Sequence, residues 1–214
     1  ASHPHTGAYH YVNVPPGSAG IDPERDCAGE QRCVTWAITH YAAQLRDTSL
    51  PLATRAEALK FVTHFIADVH QPLYVGRAAD RGGNEITVNF LGDYESCARG
   101  QARDLHEVWD RSILERAGER WPEAGRRLHR AFKAEAADTW LRAGVLDWAN
   151  ESFRLCESFV YDLPPASRRC GRDVRRIDRT YYRRALAISR TRLQQAGVRI
   201  ADALDRAARG LPLP

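Results

Sequence analysis

Two histidine–aspartate pairs with the same spacing carry the clearest chemistry in this sequence. His64 and Asp68 lie in ALKFVTHFIADVHQPL, and His106 and Asp110 lie in DLHEVWD. In a helix, a separation of four residues places the imidazole and the carboxylate on the same face, one turn apart. A helix can offer two ligands to one metal ion in this way, and a mixture of imidazole and carboxylate suits zinc. The sequence therefore predicts two half-sites for metal ions.

Both pairs lie within or beside the apolar sector of their predicted helix. An ionised carboxylate that faces the core is costly unless another group pairs with it, which favours a metal ion. The alternative is that each pair forms an ordinary hydrogen bond between histidine and aspartate, and the spacing alone leaves both interpretations open. The residues of the two apolar sectors are Phe61, Val62, Phe65 and Val69 in the first helix and Leu105, Trp109, Ile113 and Leu114 in the second.

The elements that must position these pairs are predicted to be mainly helices. An alternating segment, Ile86–Phe90, follows a glycine turn at 81–84 and predicts a strand. Residues 1–30 are rich in proline and glycine and are predicted to be irregular, apart from a short extended piece at 10–14. The expected fold is mostly α, a single-domain helical bundle over residues 1–214 with a short β-hairpin or strand pair. The predicted helices cover about 33–47, 54–69, 105–117, 122–142, 144–161 and 173–208.

The composition is that of a globular protein. Of 214 residues, 43% are hydrophobic and 27% are charged, which excludes a largely disordered chain. No run of about 18 uncharged apolar residues is present, so no transmembrane segment is expected. The net charge of +4 permits a phosphate-bearing substrate but does not require one. The arginines of segment 173–208 are interpreted as a solvated helix face.

Five cysteines suggest an oxidising compartment. Cys27–Cys33 and Cys156–Cys170 are each close enough in sequence to close a small loop, and we predict these two disulfides with Cys97 left over. Disulfides of this kind favour a periplasmic or secreted protein. The alternative is five reduced thiols. The chain also contains no methionine, which predicts a processed chain or a fragment.

Several motifs together resemble a known family, the zinc-dependent single-strand-specific nucleases. This is the family of nuclease S-one, nuclease P-one and the plant bifunctional nucleases, and it is distantly similar to bacterial zinc phospholipase C. The resemblance implies a nearly all-α fold that holds three zinc ions in a cleft. It also implies cleavage of single-stranded RNA and DNA and removal of 3′-phosphates from nucleotides. The motifs are HYVN at 10–13, HFIADVHQPL at 64–73, GGNEITVNF at 82–90, DLHEVWD at 104–110 and WANES at 148–152.

The resemblance also implies a set of site residues. The metal ligands that it carries to this chain are His10, His64, Asp68, His106 and Asp110. The implied substrate-binding residues are Tyr11, which would stack on a base, Asn13, which would meet the base edge, and Asn84 of the glycine motif. The catalytic residue stays unknown: the resemblance implies attack by a metal-bound water, and the aspartate that would activate this water has no match in this chain. Zinc ions lower the pKa of bound water, and an aromatic ring can hold any unstacked base by its face.

This sequence departs from the family pattern at two places. Tyr74 in QPLYVG stands where the pattern has a histidine ligand, and a phenol with a pKa near 10 binds zinc poorly at neutral pH. The ligands that the family carries near its N-terminus have no match in this chain. Fewer than three zinc ions are therefore expected. Three hypotheses remain open: a zinc-dependent nuclease acting on single-stranded nucleic acid or nucleotides, a degenerate non-catalytic metal-binding relative, and a lipid phosphodiesterase.

Overall fold

Helices form most of the structure, as the sequence predicts. The computed structural model describes residues 4–27, 32–94, 102–118 and 120–214. The α-helices of these residues are α1 (Pro23–Asp26), α2 (Val34–Arg46), α3 (Leu52–His70), α4 (Leu105–Glu107), α5 (Ile113–Arg116), α6 (Glu123–Ala131), α7 (Ala134–Trp140), α8 (Val145–Leu155) and α9 (Arg179–Ala208). Short 3-10 helices cover Pro4–His10, Pro72–Val75 and Ala78–Asp80, and π-helices cover Val108–Ser112 and Cys156–Val160.

Helix α3 carries the first histidine–aspartate pair through the centre of the molecule. Pro51 precedes it and Pro72 follows Gln71, and proline disfavours the helical conformation in the residue before it. Its apolar stripe packs against α2, α8 and α9. The stripe consists of Val62, Phe65, Ile66 and Val69, all 0% exposed. This spacing is that of an amphipathic helix, which is why the element could be predicted.

A small sheet is larger than the expected strand pair. Its strands are β1 (Thr87–Phe90), β2 (Arg103–Asp104), β3 (Ser167–Arg169) and β4 (Arg172–Ile177), in the order β2-β1-β4-β3. The central pair, β1 and β4, is parallel, and the two outer pairs are antiparallel. The predicted strand at 86–90 is confirmed within one residue as β1. The prediction that helix begins near 173 is wrong, because β4 occupies that stretch and α9 begins at Arg179.

The β3–β4 hairpin was missed because arginines dominate its sequence. Its two-residue turn consists of Cys170 and Gly171, with φ of 53° and 75°. Positive φ at both positions is the geometry that joins two strands most tightly. In β4 only Val174 and Ile177 are buried, and the side chains between them are charged. The apolar signal was therefore too sparse to indicate a strand.

Two apolar clusters form the core, and one short segment touches both. The first cluster surrounds α3, and the second surrounds the sheet and the segment around Trp109. Within the 3-10 helix Pro72–Val75, Leu73 is buried in the second cluster and Val75 in the first. Tyr74 lies between them in sequence. The junction between the two clusters therefore carries the residue that departs from the family pattern.

Two arginines of α9 are buried, contrary to the prediction of a solvated face. Arg192 is 4% exposed and Arg199 is 0% exposed. Both donate hydrogen bonds to the carboxylate of Glu151 in α8. Arg192 also donates to the backbone carbonyl of His70 at 3.1 Å, so the C-terminal end of α3 is tied to α9. The error arose because a buried ion pair and a solvated arginine look alike in sequence.

One predicted disulfide is present and the other is wrong. Cys27 and Cys33 form a disulfide. Cys156 is a buried free thiol that donates a hydrogen bond to the carbonyl of Pro72 at 2.9 Å. Cys170 is disulfide-bonded, and because Cys156 is a free thiol, the partner of Cys170 is not Cys156. Cys97 lies outside the described residues.

The sequence predicts no transmembrane segment. Within the described ranges, no helix combines the length and the apolar character needed to cross a lipid bilayer.

Candidate metal centre

Three of the predicted ligands bring their donor atoms together. His64 and Asp68 project from α3, and His10 is the last residue of the 3-10 helix Pro4–His10. Nδ1 of His10 lies 2.8 Å from Oδ2 of Asp68, and Nε2 of His64 lies 3.1 Å from the same nitrogen. The distance from His64 Nε2 to Asp68 Oδ2 is 3.2 Å. The three atoms thus form a nearly equilateral triangle.

The dimensions of this triangle suit a zinc ion. With bonds of about 2.0–2.1 Å and tetrahedral angles, two ligands of one zinc ion are about 3.3 Å apart. Two imidazole nitrogens and one carboxylate oxygen are also the donor types that zinc prefers among nitrogen and oxygen ligands. Two ring nitrogens facing the same carboxylate oxygen cannot all be hydrogen-bonded to one another without two donors meeting. The residues present therefore fit the metal better than a set of ordinary hydrogen bonds.

The surroundings hold these ligands in place. Asp68 is 8% exposed, so its carboxylate needs a positive partner. The hydrogen bond to Asp68 raises the pKa of His64, although partial burial opposes this change. The ring of Phe65 contacts both imidazoles edge-on, at centroid distances of 5.0 Å to His10 and 5.8 Å to His64. The side chain of His64 remains 56% exposed, so the centre is open to solvent on that side.

His106 and Asp110 form a second, separate pair. Nε2 of His106 lies 3.5 Å from Oδ2 of Asp110. The other ring nitrogen, Nδ1, donates to the carbonyl of Gly82 at 2.8 Å, so Nε2 is the nitrogen that faces Asp110. Gln71 donates to Oδ1 of Asp110 at 2.7 Å. Burial raises the pKa of Asp110, and the hydrogen bond from Gln71 partly offsets the effect.

The backbone around this pair is irregular. The helix predicted at 105–117 is interrupted by the π-helix Val108–Ser112, which contains Asp110. A π-turn changes the rotation per residue, and such turns are frequent at functional sites. Leu105, Val108 and Trp109 are still buried, so the segment remains anchored in the second apolar cluster.

Tyr74 lies beside the second pair and does not supply a third ligand. Its ring contacts that of His106 edge-on, with centroids 4.8 Å apart. Burial raises the pKa of the Tyr74 phenol, and the nearby charges of Asp110 and Asp68 raise it further. The phenol therefore stays protonated. Across the part of the chain that the structure describes, only His10, His64 and Asp68 form a cluster of three donors. The second pair offers two donors, one fewer than the three protein ligands of a typical catalytic zinc site.

A cavity of about 230 Å³ opens beside the second pair. All three predicted substrate-binding residues, Tyr11, Asn13 and Asn84, line it, together with His106. Tyr11 is 42% exposed. Arg81 also lines this cavity. The sequence patterns predicted the turn at 81–84 that carries Arg81 but gave no sign that its side chain belongs to the site.

Backbone pairing explains why Tyr11 and Asn13 share one side. The amides of Val12 and Val14 donate to the carbonyls of Tyr74 and Gly76 at 2.9 and 3.0 Å. Val12 and Val14 are each 1% exposed. In extended chain, successive side chains alternate between two faces, so Tyr11 and Asn13 lie on the opposite face from these valines. The extended piece predicted at 10–14 is present from Tyr11, whereas His10 ends a 3-10 helix.

A second cavity, of about 190 Å³, is also lined by Tyr74. Asp68 and Asp110 line it along with apolar residues such as Trp109 and Leu193. Tyr74 lines both cavities and is the residue that their linings share.

Comparison with known proteins agrees with these observations. The family model described as S1/P1 Nuclease matches residues 1–209. Endonuclease 4 of Arabidopsis thaliana is 32% identical over 94% of this chain and 70% of its own length. Nuclease P1 of Penicillium citrinum is 37% identical over 49% of this chain and 36% of its own length. Nuclease S1 of Aspergillus oryzae is 37% identical over 51% of this chain and 35% of its own length. The chain therefore belongs to the S1/P1 nuclease family of hydrolytic enzymes.

Proposed function

We propose that this nuclease is a zinc-dependent endonuclease that hydrolyses single-stranded RNA or DNA and removes 3′-phosphates from nucleotides. The observation that supports the proposal most strongly is the triangle of His10, His64 and Asp68. It lies directly beside Tyr11, since His10 and Tyr11 are consecutive residues. A metal centre and an exposed aromatic ring are thus joined by one peptide unit. A nucleotide bound to the ring would bring its phosphate to the metal centre.

His10, His64 and Asp68 are the residues that would hold zinc. When bound, zinc lowers the pKa of a coordinated water and neutralises charge on a phosphoryl group. The chain itself provides a rigid frame for this chemistry. The buried carboxylate of Asp68 orients both imidazoles, and Phe65 limits their rotation. The exposed face of His64 leaves room for a substrate.

The cavity that Tyr11 lines supports a preference for single strands. A base must leave its stack before its face can lie on an aromatic ring, and a duplex prevents this. The amide of Asn84 donates through Nδ2 to the carbonyl of Arg81 at 2.6 Å, so its Oδ1 remains available as an acceptor. Asn13 adds a second amide at the wall of the cavity. These groups can accept from and donate to the polar edge of a base.

The second pair supports a smaller metal content than the three ions of the family pattern. His106 and Asp110 offer two donors, and Tyr74 beside them is a neutral phenol. We assign no step of the reaction to a metal ion at this position. His106 and Tyr74 instead line the cavity.

We further propose that the protein is periplasmic or secreted and that residues 1–214 form one domain. The disulfide between Cys27 and Cys33 supports an oxidising compartment. The 3-10 helix Pro72–Val75 is buried in both apolar clusters, which supports a single folding unit.

The proposal is tested by metal analysis and hydrolysis together. Purified protein should contain about one equivalent of zinc, and less than about half an equivalent would contradict the proposal. Zinc-loaded protein should hydrolyse oligothymidylate faster than the same sequence in a duplex, and it should leave phosphatidylcholine vesicles intact. His64→Ala should abolish both zinc binding and hydrolysis. His129→Ala, on an exposed position of α6, is the matched control and should change neither.

A further inference from the structure

We propose that Arg81 forms a phosphate-binding subsite in the polar cavity, for a phosphate of the bound nucleic acid other than the one at the metal centre. The inference rests on the proposed function, because it takes single-stranded nucleic acid as the ligand. It assigns a role to a side chain that the predicted set of site residues does not include.

The loop that carries Arg81 is built rigidly. The amide of Gly82 donates to the carbonyl of Arg77 at 2.9 Å, and the amide of Gly83 donates to Oδ1 of Asp80 at 2.7 Å. The same Asp80 oxygen accepts a hydrogen bond from the hydroxyl of Tyr161 at 3.0 Å. The backbone at Arg81 is thus held in place before any ligand arrives, so binding does not have to order the loop.

Arg81 occupies a backbone conformation that arginine does not favour. Its φ is 54° and its ψ is 46°, in the left-handed region, and Gly82 and Gly83 follow with φ of 62° and 84°. Glycine would adopt this conformation without steric cost. A non-glycine residue held in it at a candidate site suggests a function for its side chain.

Arg81 carries a charge that the described part of the chain does not neutralise. Among the described residues, no carboxylate forms an ion pair with its guanidinium, and the residue is exposed. The cavity lining contains no aspartate or glutamate, so Arg81 is its one permanently charged group. The other cavity beside Tyr74 is lined by Asp68 and Asp110. In the polar cavity, Arg81 is therefore the group that attracts a phosphate.

The position of Arg81 links it to the reaction centre. The carbonyl of Gly82, the next residue, holds His106 at 2.8 Å. Tyr11 lines the same cavity and directly follows His10 of the metal centre. A base on Tyr11 would thus have the metal centre on one side and Arg81 within the same cavity. The planar guanidinium can bind two oxygens of one phosphate at once, which lysine cannot.

Oligonucleotide binding, measured without zinc so that no hydrolysis occurs, tests this subsite directly. The probe is fluorescein-labelled oligothymidylate of about eight nucleotides, titrated in EDTA at several NaCl concentrations. Arg81→Gly should weaken binding about tenfold at 0.1 M salt and reduce the slope of log K against log [NaCl] by about 0.7. Its melting temperature should equal or exceed that of the original protein, because glycine relieves the left-handed backbone. Arg81→Lys should retain the salt slope with weaker binding.

Arg183→Ala is the matched control, because this exposed arginine of α9 lines neither cavity. The proposal is overturned if Arg81→Gly binds within twofold of the original protein, or if its affinity falls while the salt slope stays the same. Absence of binding by the original protein in EDTA would also contradict it. Oligonucleotide binding that depends on Arg81, without any hydrolysis after zinc is added, would instead refute the proposed function and leave this subsite standing.

Discussion

Arg199 of α9 donates a hydrogen bond to Nε2 of His70, the last residue of α3, over 2.8 Å. Because arginine can only donate, Nε2 must be the unprotonated nitrogen, and Nδ1 donates to the carbonyl of Ile66 at 2.6 Å. Arg199 also pairs with Glu151 of α8. These buried polar contacts fix the C-terminal end of α3, the helix that carries His64 and Asp68. The 3-10 helix that contains Tyr74 begins two residues later, at Pro72.

Removing the one carboxylate of this network should destabilise the fold. Glu151→Gln leaves Arg192 and Arg199 buried without a negative partner, and breaking such a pair costs about 3 kcal/mol or more. Urea denaturation monitored by circular dichroism measures the change in the free energy of unfolding. Glu115→Gln, on an exposed surface pair with Arg111, is the control and should change it by less than about 1 kcal/mol. Equal effects of the two changes would contradict a structural role for the network.

The same carboxylate should make the stability depend on acid pH. Burial alone would raise the pKa of Glu151, but hydrogen bonds from Arg199 and Arg192 outweigh burial and lower it below the ordinary value of 4.5. Because the folded-state pKa is lower than the unfolded one, the stabilisation is complete above the unfolded pKa. It is lost as the pH falls through the folded pKa.

Denaturation midpoints measured from pH 7 down to pH 3 should therefore fall less steeply in Glu151→Gln than in the original protein. Parallel curves for the two proteins would show that another carboxylate dominates the acid transition. The exposed-pair variant Glu115→Gln should follow the original curve.

Contacts between residues that are close in sequence could be predicted, whereas contacts between residues far apart in sequence could not. Helix α3 and the pairing of His64 with Asp68 are local, because one helical turn joins the two residues. The pairing of Arg199 with Glu151 spans 48 residues, and that of His10 with Asp68 spans 58. Contacts of that range follow from how helices pack, which no local pattern encodes. The motifs of the family, and not periodicity, indicated that His10 belongs with the pair on α3.

Cysteine pairing shows the same limit. Cys27 and Cys33 are separated by 6 residues, and proximity predicted their disulfide correctly. Proximity failed for Cys156, because this residue points into the core and donates to the carbonyl of Pro72, 84 residues earlier in the chain. A contact between such distant segments cannot be inferred from the spacing of the cysteines.

Tyr74 should determine how many metal ions bind. Tyr74→His would place an imidazole beside His106 and Asp110, and three donors can hold zinc where two cannot. Zinc content measured by atomic absorption should rise by about one equivalent in Tyr74→His. It should stay unchanged in Tyr74→Phe, which removes the hydroxyl but keeps the ring. A loss of zinc in Tyr74→Phe would mean that the phenol is a ligand after all.

Tyr11 should contribute to substrate binding through the face of its ring. Tyr11→Ala should raise KM for oligothymidylate by about tenfold or more, since stacking of one base contributes about 1–3 kcal/mol. Tyr11→Phe should retain most of the affinity. Trp121→Ala is the matched control, because Trp121 is 86% exposed and lines neither of the two cavities beside Tyr74. If Tyr11→Phe is as impaired as Tyr11→Ala, the hydroxyl and not the ring face makes the contact.

Zinc should stabilise the folded protein through Asp68. A ligand that binds only the folded state adds RT ln(1 + [L]/Kd) to the free energy of unfolding, which is about 2.7 kcal/mol at a hundredfold excess over Kd. The melting temperature should rise when zinc is added to EDTA-treated protein. Asp68→Asn removes the charge that holds His10 and His64 together, so the variant should melt at the same temperature with and without zinc. A zinc-dependent rise that survives in Asp68→Asn would move the metal centre elsewhere, and the pair His106 and Asp110 would be the next site to mutate.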